Sequence, residues 1–291
     1  FRRVLFRSRA AGAVKRWMCA ALAALLLCSL TACGKTEEPA RQDIFAMDTY
    51  MSLVAYGEDG QEALAAAARE INRLEQELSR TVSTSYIYKL NENGSAAVSE
   101  ETANLLKAAM DYSAATGGLF DMTVAPLVSL WGITTDSPRV PSRSEIDALL
   151  PLVGSGHVHL DGQTVTLDAG CAVDLGGIAK GYASDRVAQV LGQYAVTGAA
   201  VSLGGNVYVC GQKPDGTAWS VAVQDPKKTD AYAMTLDLTD VFAVTSGGYQ
   251  RYFTDADGTV YQHILDPRTG YPAQTDLLSV TVIGQNGTMS D

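Results

Sequence analysis

The longest regular pattern in the chain is helical. Apolar side chains recur every three or four residues between positions 61 and 78, with Leu64 and Ile71 among them, and this spacing predicts an amphipathic helix. Ser142 and Glu145 have the spacing of a capping box, which predicts the start of a short helix. The predicted helices cover residues 61–78, 99–116, 142–150 and 179–194.

Alternating apolar and polar residues predict strands for much of the remaining chain. Residues 44–56 are interpreted as one strand, and residues 199–210 as another that carries two adjacent glycines. The polar stretch 79–91 predicts a loop or an irregular strand. The other predicted strands cover residues 157–160, 164–167, 172–175, 218–223, 232–238, 241–245 and a terminal run from 279 onward. The terminal run reaches Asp291 without a closing helix, so the domain is expected to be truncated at its C-terminus.

Length and charge narrow the functional classes. A chain of 291 residues has enough material for one large domain or two lobes. It contains 22 basic and 32 acidic side chains, and six of the basic residues lie in positions 1–32, which hold no acid. Without that segment, 16 basic residues face 32 acidic ones, a net charge of −16. So acidic a body argues against sequence-independent binding of nucleic acid, and an anionic ligand would need a metal ion or a local basic pocket.

The N-terminal segment has the pattern of a secretion signal. Lys15 and Arg16 precede an apolar stretch at 17–30, which is shorter than the ~20 residues that span a bilayer. The Leu-Thr-Ala-Cys sequence that ends at Cys33 resembles the bacterial lipobox, in which the cysteine receives lipid and becomes the first mature residue. The prediction is a protein anchored by lipid to the extracytoplasmic face of a bacterial membrane. The alternative is an ordinary signal peptide that happens to end near a cysteine.

These assignments divide the chain into segments and account for its cysteines. Residues 1–32 hold upstream residues and the signal peptide, residues 33–42 the lipidated cysteine and a tether, and residues 43–291 the folded domain. Cys171 and Cys210 remain in the domain, without the paired spacing of a zinc site. They form either two buried thiols or one disulfide, and their apolar surroundings favour thiols.

The densest candidate motif is Val-Asp-Leu-Gly-Gly-Ile-Ala-Lys-Gly at 173–181. Gly176 and Gly177 let backbone groups approach a ligand closely, and a helix that begins after them offers unpaired N–H groups to phosphate. Lys180 adds a positive charge there, and Asp174 is suited to a sugar hydroxyl, a base edge or a metal ion. The motif fits neither the Walker nor the dinucleotide fingerprint. The alternative is a tight strand-to-helix turn with a surface lysine.

Two other positions carry candidate chemistry. Asp121 heads an apolar run directly after two glycines and Leu-Phe, where it either caps a helix or acts as a buried acceptor for an exocyclic amine. His263 precedes a dense turn that contains Asp266 and Arg268. The other two histidines of the chain are placed in an exposed hairpin, where a structural role is expected.

Taken in order along the chain, these motifs and several others resemble one known family. The matching positions are 47–50 (Met-Asp-Thr-Tyr), 77–79, 90–91, 120–127, 173–181, 204–206 (Gly-Gly-Asn), 245–247, 263–270 (His-Ile-Leu-Asp-Pro-Arg-Thr-Gly) and 279–291. From about residue 44 to its end, the chain is similar to the ApbE family, the FAD:protein FMN transferases, which are commonly bacterial lipoproteins. The resemblance implies an α+β, bilobal fold with mixed or antiparallel sheets, flanking helices and FAD in the cleft between the lobes.

The resemblance also implies which residues contact the ligands. Contacts with FAD are implied for Met47, Thr81, Leu119, Phe120, Asp121, Asp174, Lys180 and His263. His263 is implied to help activate the acceptor, and Asp174 is the second candidate catalytic residue. Mg²⁺ is implied to bind the backbone carbonyl of Gly177 and the carboxylate of Asp291. In the family, that carboxylate opens an Asp-x-x-x-Thr motif whose threonine would fall past the end of this sequence.

The implied reaction is a Mg²⁺-dependent transfer of FMN from FAD. A threonine hydroxyl of an acceptor protein, expected to be a subunit of a membrane redox complex, attacks the FMN phosphate, and AMP leaves. Hard oxygen ligands of the kind present here suit Mg²⁺. Two alternatives stay open. One is hydrolysis of FAD to FMN and AMP, and the other is a surface lipoprotein that holds flavin without turning it over.

Overall fold

A computed structural model describes residues 38–291 of the chain. The predicted signal peptide and the lipidation site at Cys33 lie outside the described residues. The helices are α1 (Gly60–Leu78), α2 (Tyr86–Asn93), α3 (Glu100–Ala115), α4 (Ala125–Trp131), α5 (Arg143–Leu149), α6 (Ala179–Leu191) and α7 (Gly287–Ser290). The strands are β1 (Ala40–Ala46), β2 (Thr49–Tyr56), β3 (Ser95–Ala97), β4 (Val158–Asp161), β5 (Thr164–Leu167), β6 (Gly198–Leu203), β7 (Asn206–Gly211), β8 (Trp219–Asp225), β9 (Lys228–Leu238), β10 (Val241–Gly247), β11 (Tyr252–Thr254), β12 (Val260–Gln262) and β13 (Ser279–Gly284).

Six antiparallel strands form the main sheet, in the order β1-β2-β6-β7-β10-β13. The pairing register places the buried residues Met51 of β2, Leu203 of β6 and Val244 of β10 on the same face of this sheet. Helices α1 and α6 pack against this sheet and against each other, and α1 contributes Leu64 and Ile71 to the core. The smaller sheets are β3-β5-β4, β8-β9 and β11-β12.

A second hydrophobic cluster surrounds Trp131, the last residue of α4. Trp131, Leu127 and Ile146 are fully buried, and Tyr261 of β12 packs on the Trp131 ring with ring centroids 5.3 Å apart. The indole Nε1 of Trp131 donates to the carbonyl of Gly270 at 2.8 Å. Two clusters, antiparallel pairing throughout the described sheets and flanking helices confirm the predicted α+β class.

Ion pairs fix α6 against α1 and α3. The guanidinium of Arg186 lies 3.0 Å from Glu70 and 3.2 Å from Glu101, and the Tyr182 hydroxyl donates to Glu101 at 2.6 Å. Arg73 contacts the same two glutamates at 2.7 and 2.8 Å. Its hydrogen bond is the main reason why the pKa of the Glu70 carboxyl is lowered to about 2. The network holds α6, whose first turn follows the paired glycines, in a defined position.

The four predicted helices are confirmed as α1, α3, α5 and α6, with small shifts at their ends. Ser99 caps α3 by accepting the N–H of Thr102, and the capping box of Ser142 and Glu145 has both of its hydrogen bonds. Helix α6 ends at Leu191, three residues earlier than predicted. The predicted strands at 157–160, 164–167, 218–223, 232–238 and 241–245 correspond to β4, β5, β8, β9 and β10.

Two predictions of a single strand are wrong, because each segment is a hairpin. Residues 44–56 belong to β1 and β2, which are joined at Met47 and Asp48, with φ of 49° and 57°. Residues 199–210 belong to β6 and β7, joined at two glycines with φ of 62° and 103°. Side chains keep alternating across a two-residue turn, so the periodicity alone does not reveal where the chain reverses.

Three further segments differ from the sequence prediction. Residues 79–91 contain most of α2, which has a serine N-cap and a glycine C-cap. Residues 172–175 form no strand, because the backbone of Val173 pairs with the side-chain amide of Asn91 at 2.8 and 2.9 Å. The terminal run ends at Gly284 and is followed by α7, where no helix was expected. Within residues 38–291, no helix is both long and apolar enough to cross a bilayer.

Candidate active site

Four chain segments meet at one end of the main sheet. The antiparallel register places the β1–β2 turn, the β6–β7 turn, the C-terminal end of β10 and the N-terminal end of β13 side by side. A Cβ on Gly204 would collide with the side chain of Thr49, so the two turns touch and this position requires glycine. Among the predicted site residues, Met47 lies in the β1–β2 turn, His263 follows β10 and Asp291 follows β13.

The β1–β2 turn is held from two sides. The N–H of Met47 donates to Glu75 of α1 at 2.8 Å, and the Met47 side chain packs half-buried on the main core. The guanidinium of Arg251, in the loop after β10, lies 2.5 Å from the carboxylate of Asp48 and also donates to the Asp48 carbonyl. Arg251 therefore connects the loop that leads toward His263 with the turn that carries Met47.

His263 favours the neutral imidazole, and its Nε2 has no hydrogen-bond partner among residues 38–291. Both its backbone N–H and its Nδ1 contact the carbonyl of Arg251, at 3.0 and 3.1 Å. A carbonyl only accepts, so Nδ1 carries the proton and Nε2 keeps its lone pair. Burial lowers the pKa of His263, the hydrogen bond to the carbonyl opposes that shift, and the positive charges of Arg251 and Lys180 lower the pKa further. Because the charge of Lys180 affects this pKa, His263 lies near the start of α6.

The motif at 173–181 forms a turn that leads into α6. The N–H of Asp174 donates to the Met122 carbonyl at 2.7 Å, and Asp174 Oδ1 accepts the N–H of Gly176 at 2.7 Å. A Cβ on Gly177 would lie 3.3 Å from the ring of Phe120, so the ring of this predicted FAD contact covers the turn closely. Lys180 Nζ lies 3.4 Å from the carbonyl of Gly176. The motif thus joins Asp174, Phe120 and Lys180 in one place.

Asp291 lies at the first turn of α6. Ile178 occupies the N-cap position of this helix and supplies no side-chain hydrogen bond. Asp291 Oδ2 accepts the N–H of Gly181 at 2.8 Å instead, and Asp185 of α6 accepts two backbone N–H groups of α7 at 2.7 and 2.8 Å. Gly181 follows Gly177 by about one helical turn. The two predicted metal ligands are therefore at the same end of α6.

Asp121 is buried and its carboxylate is surrounded by protein donors. Oδ1 accepts the N–H and the hydroxyl of Thr123, at 2.8 and 2.5 Å, and Oδ2 accepts the Ser113 hydroxyl at 2.8 Å and the Ser155 N–H at 3.0 Å. It caps the 3₁₀ turn Met122–Val124, as one of the two sequence interpretations held. Asp121 also lines a cavity of about 450 Å³, to which Gly118, Pro151, Gly154, Pro267 and Arg268 contribute. Contact between Asp121 and a ligand stays a prediction.

Thr81 and Leu119 are less closely joined to the other predicted residues. Both are exposed, Leu119 by 56%, and Thr81 hydrogen-bonds to Ser79 at 3.0 Å. Sequence reasoning missed the residue beside Thr81. Arg80 forms an ion pair with Asp174, with Nε 2.8 Å from Oδ2, and donates from Nη1 to the hydroxyl of Ser129 at 3.2 Å. Nothing in the pattern around Arg80 marks this contact, because its partners come from distant parts of the chain.

The available ligands fit Mg²⁺ better than a softer metal ion. Within residues 38–291, no group of three or more His, Cys, Asp or Glu side chains is arranged to hold a metal. Asp291 and the Gly177 carbonyl supply hard oxygens, and Mg²⁺ commonly uses one or two carboxylates together with water and substrate phosphates. Cys171 and Cys210 are free thiols, as favoured from the sequence, although Cys210 is only half-buried.

Known proteins resemble the chain over most of its length. The ApbE family pattern matches residues 47–291. The FAD:protein FMN transferase of Vibrio cholerae is 32% identical over 289 residues, which cover 96% of this chain and 85% of that protein. The ApbE protein of Thermotoga maritima superimposes with a TM-score of 0.81 at 36% identity, covering 87% of this chain and 84% of that one. For the apo flavinyl transferase ApbE of Pseudomonas stutzeri, the TM-score is 0.77 at 28% identity, with 87% and 82% covered. The chain therefore belongs to the ApbE family.

Proposed function

We propose that this protein transfers FMN from FAD to a threonine hydroxyl of an acceptor protein, with Mg²⁺ bound, and releases AMP. The relatives named FAD:protein FMN transferase support the flavin-transfer reaction. The observation that carries the finer proposal is the position of Asp291, whose carboxylate is held 2.8 Å from the N–H of Gly181. The site then combines the Asp291 carboxylate, the turn at Gly176 and Gly177, and the positive charge of Lys180. Together these groups can bind a pyrophosphate and a hard divalent ion.

The adenine end and the phosphates of the dinucleotide have candidate places. The cavity beside Asp121 and Arg268 has room for the adenine end. Phe120, which precedes Asp121 in the chain, places its ring against Gly177. Lys180 and the N-terminus of α6 face the phosphates. The carbonyl of Gly177 and the carboxylate of Asp291 would hold Mg²⁺, which when bound neutralises phosphate charge as the bond between the two phosphates breaks.

The proton of the acceptor hydroxyl goes to His263 in this proposal. The threonine oxygen bonds to the FMN phosphorus, the bond from that phosphorus to the bridging oxygen breaks, and AMP takes the electron pair. Nδ1 of His263 donates to the Arg251 carbonyl, which leaves Nε2 without a partner within the described part of the chain. A neutral imidazole can accept the hydroxyl proton, and general-base catalysis of this kind contributes roughly 10²–10⁴ in rate.

The transfer reaction is tested with FAD, Mg²⁺ and a threonine-bearing acceptor domain. Transfer predicts that the acceptor gains the mass of FMN less water, with one AMP released per flavin attached, and that a Thr→Ala acceptor gains nothing. Free FMN and AMP in equal amounts, without a modified acceptor, would instead indicate the pyrophosphatase. FAD that stays bound and intact would indicate a flavin-binding protein, and either result would overturn the transferase proposal.

We also propose that lipid on Cys33 anchors the protein to the extracytoplasmic face of a bacterial membrane, where a subunit of a membrane redox complex is the acceptor. The proposal is supported by the lipobox-like sequence that ends at Cys33. Fractionation of cells that express the wild type and Cys33→Ala tests it. The wild type should sediment with membranes and label with a palmitate analogue, and Cys33→Ala should do neither. Equal membrane association of the two proteins would contradict the anchor.

A further inference from the structure

Arg80 joins three segments that surround the paired glycines. It follows α1 and precedes Thr81, its Nε lies 2.8 Å from Oδ2 of Asp174, and its Nη1 donates to the hydroxyl of Ser129 in α4 at 3.2 Å. The side chains of Arg80 and Asp174 are only 25% and 18% exposed. This partial burial reduces solvent screening of the pair. The contacts with Asp174 and Ser129 orient the guanidinium.

The carboxylate of Asp174 is already in use by the protein. Oδ1 accepts the N–H of Gly176 at 2.7 Å, and Oδ2 faces Arg80. The guanidinium, in contrast, keeps donor capacity. Its Nη2 donates to no acceptor among residues 38–291, and a guanidinium has five N–H donors in a rigid fork. Within this ion pair, Arg80 is therefore the partner that can still bind an anion.

We propose that Arg80 binds a phosphate of the flavin dinucleotide, and that Asp174 and Ser129 are positioning residues that act through it. This inference rests on the proposed function, since it assigns the residue that recognises the phosphate-bearing part of the same substrate. Arginine suits the role because its planar fork matches two phosphate oxygens at once. A local cation is also needed here, because residues 33–291 carry 32 acidic and 16 basic side chains.

The test compares ligands that share the isoalloxazine ring and differ in phosphate. FAD and riboflavin are titrated into the wild type, Arg80→Ala and Arg80→Lys with Mg²⁺ present, and binding is followed by flavin fluorescence. Arg80→Ala is expected to weaken FAD roughly 10- to 100-fold and riboflavin less than about twofold, because only FAD offers a charged acceptor. Arg80→Lys should recover part of the FAD affinity, since it keeps the charge and loses the fork. Arg69→Ala, at an exposed arginine of α1, is the matched control and should match the wild type.

A double-variant cycle tests whether Asp174 acts through Arg80. Asp174→Ala alone should weaken FAD, and adding it to Arg80→Ala should cause little further loss, because the two residues form one unit. Ser129→Ala removes one positioning contact without touching the ion pair, so it should give a smaller loss that is again specific to FAD. Thermal unfolding of every variant checks that it folds. If Arg80→Ala does not fold, Ser129→Ala and Arg80→Lys still test the inference.

Three results would overturn the inference. The first is an unchanged FAD affinity in Arg80→Ala. The second is an equal loss of affinity for FAD and riboflavin, which would mean that Arg80 only stabilises the structure. The third is additive effects of Arg80→Ala and Asp174→Ala. Failure of the proposed function looks different, because the wild type itself would then bind no FAD or would not attach FMN to the acceptor.

Discussion

His263 is the residue whose surroundings predict a pH dependence. Burial and the charges of Arg251 and Lys180 lower its pKa below the ordinary value of 6.5, and only the contact with the Arg251 carbonyl opposes this shift. The neutral form is the base, so kcat/KM for FMN transfer should be constant around neutral pH and fall on acidification, with a midpoint below 6.5. A pH–rate profile at constant ionic strength measures this. A midpoint above 6.5 would contradict the assignment.

Replacement of His263 supplies the matching variant. His263→Ala should lower kcat by roughly 10²–10⁴ and remove the acid limb of the profile, because no base of that pKa remains. FAD affinity should change much less than kcat. His157→Gln is the control, since His157 pairs with Asp168 at 2.8 Å on the β4–β5 side of the protein. If the acid limb survives in His263→Ala, another group takes the proton.

Residues of the site differ in how well their neighbours in the sequence predict their role. Asp174, Gly177 and Lys180 are predictable together, because they are close in the chain and their residue types share one chemistry. Arg80 and Arg251 are not, because each acquires its role from a distant partner, and the contact of Arg251 with Asp48 spans 203 positions. Long-range pairs of this kind are set by the order of strands in the sheet, which no local pattern contains.

Among the elements, the β1–β2 hairpin shows why a turn can be hidden. Two-residue turns with positive φ usually carry asparagine or glycine, and this one carries Met47 and Asp48. Positive φ costs a non-glycine residue about 1–2 kcal/mol, so contacts elsewhere must hold the turn. Glu75 and Arg251 supply them by binding the Met47 N–H and Asp48. The helices, in contrast, were predictable because their caps and apolar spacing are local.

The packing of α7 on α6 depends on Gly181. A Cβ there would collide with the Gly287 carbonyl and lie 2.5 Å from Cβ of Asp291. Alanine favours a helix over glycine by about 1 kcal/mol, but the Gly287 carbonyl belongs to the backbone and cannot move aside without shifting α7. Gly181→Ala should therefore destabilise the protein by about 1–3 kcal/mol and release α7. Urea unfolding and hydrogen exchange of residues 285–291 measure the two effects.

Gly192→Ala is the matched control for this packing prediction. Gly192 is the C-cap of α6 and has a negative φ of −65°. A Cβ there would meet its nearest neighbour at 3.5 Å, an ordinary contact. It should leave stability and the exchange of α7 unchanged or slightly improved. If Gly181→Ala exchanges in α7 like the wild type, then α6 and α7 are not coupled through this glycine, and the position of Asp291 has another cause.

For the molecule as a whole, the fold class was predictable and the sheet order was not. The motifs of the ApbE family are distributed along the chain from about residue 47, so the set of motifs together predicts the whole fold. Nothing local indicates that β2 pairs with β6 across the intervening helices, or that β13 lies beside β10. Those pairings bring the β1–β2 turn with Met47 beside the end of β10, so the residue types were accessible from the sequence and contacts such as Arg251 with Asp48 were not.

The net negative charge of the protein opposes binding of the proposed substrate, because that substrate is an anion. Three cations (Lys180, Arg80 and Arg251) stand at the site, but so do three carboxylates (Asp48, Asp174 and Asp291), and the body around them is acidic. The phosphates of FAD therefore meet no local excess of positive charge unless a divalent ion is bound. Riboflavin carries no phosphate and does not need that ion.

Metal removal should consequently separate the two ligands. Chelation with EDTA at constant ionic strength is expected to weaken FAD binding at least about tenfold, or about 1.4 kcal/mol, and to leave riboflavin binding unchanged. Asp291→Asn should behave in Mg²⁺ as the wild type does in EDTA, because it removes the carboxylate that fits the ion. Isothermal titration with each ligand, with and without Mg²⁺, measures both effects. Equal FAD affinity in Mg²⁺ and EDTA would show that the protein's own cations suffice, and the proposed role of Asp291 would then fall with the metal.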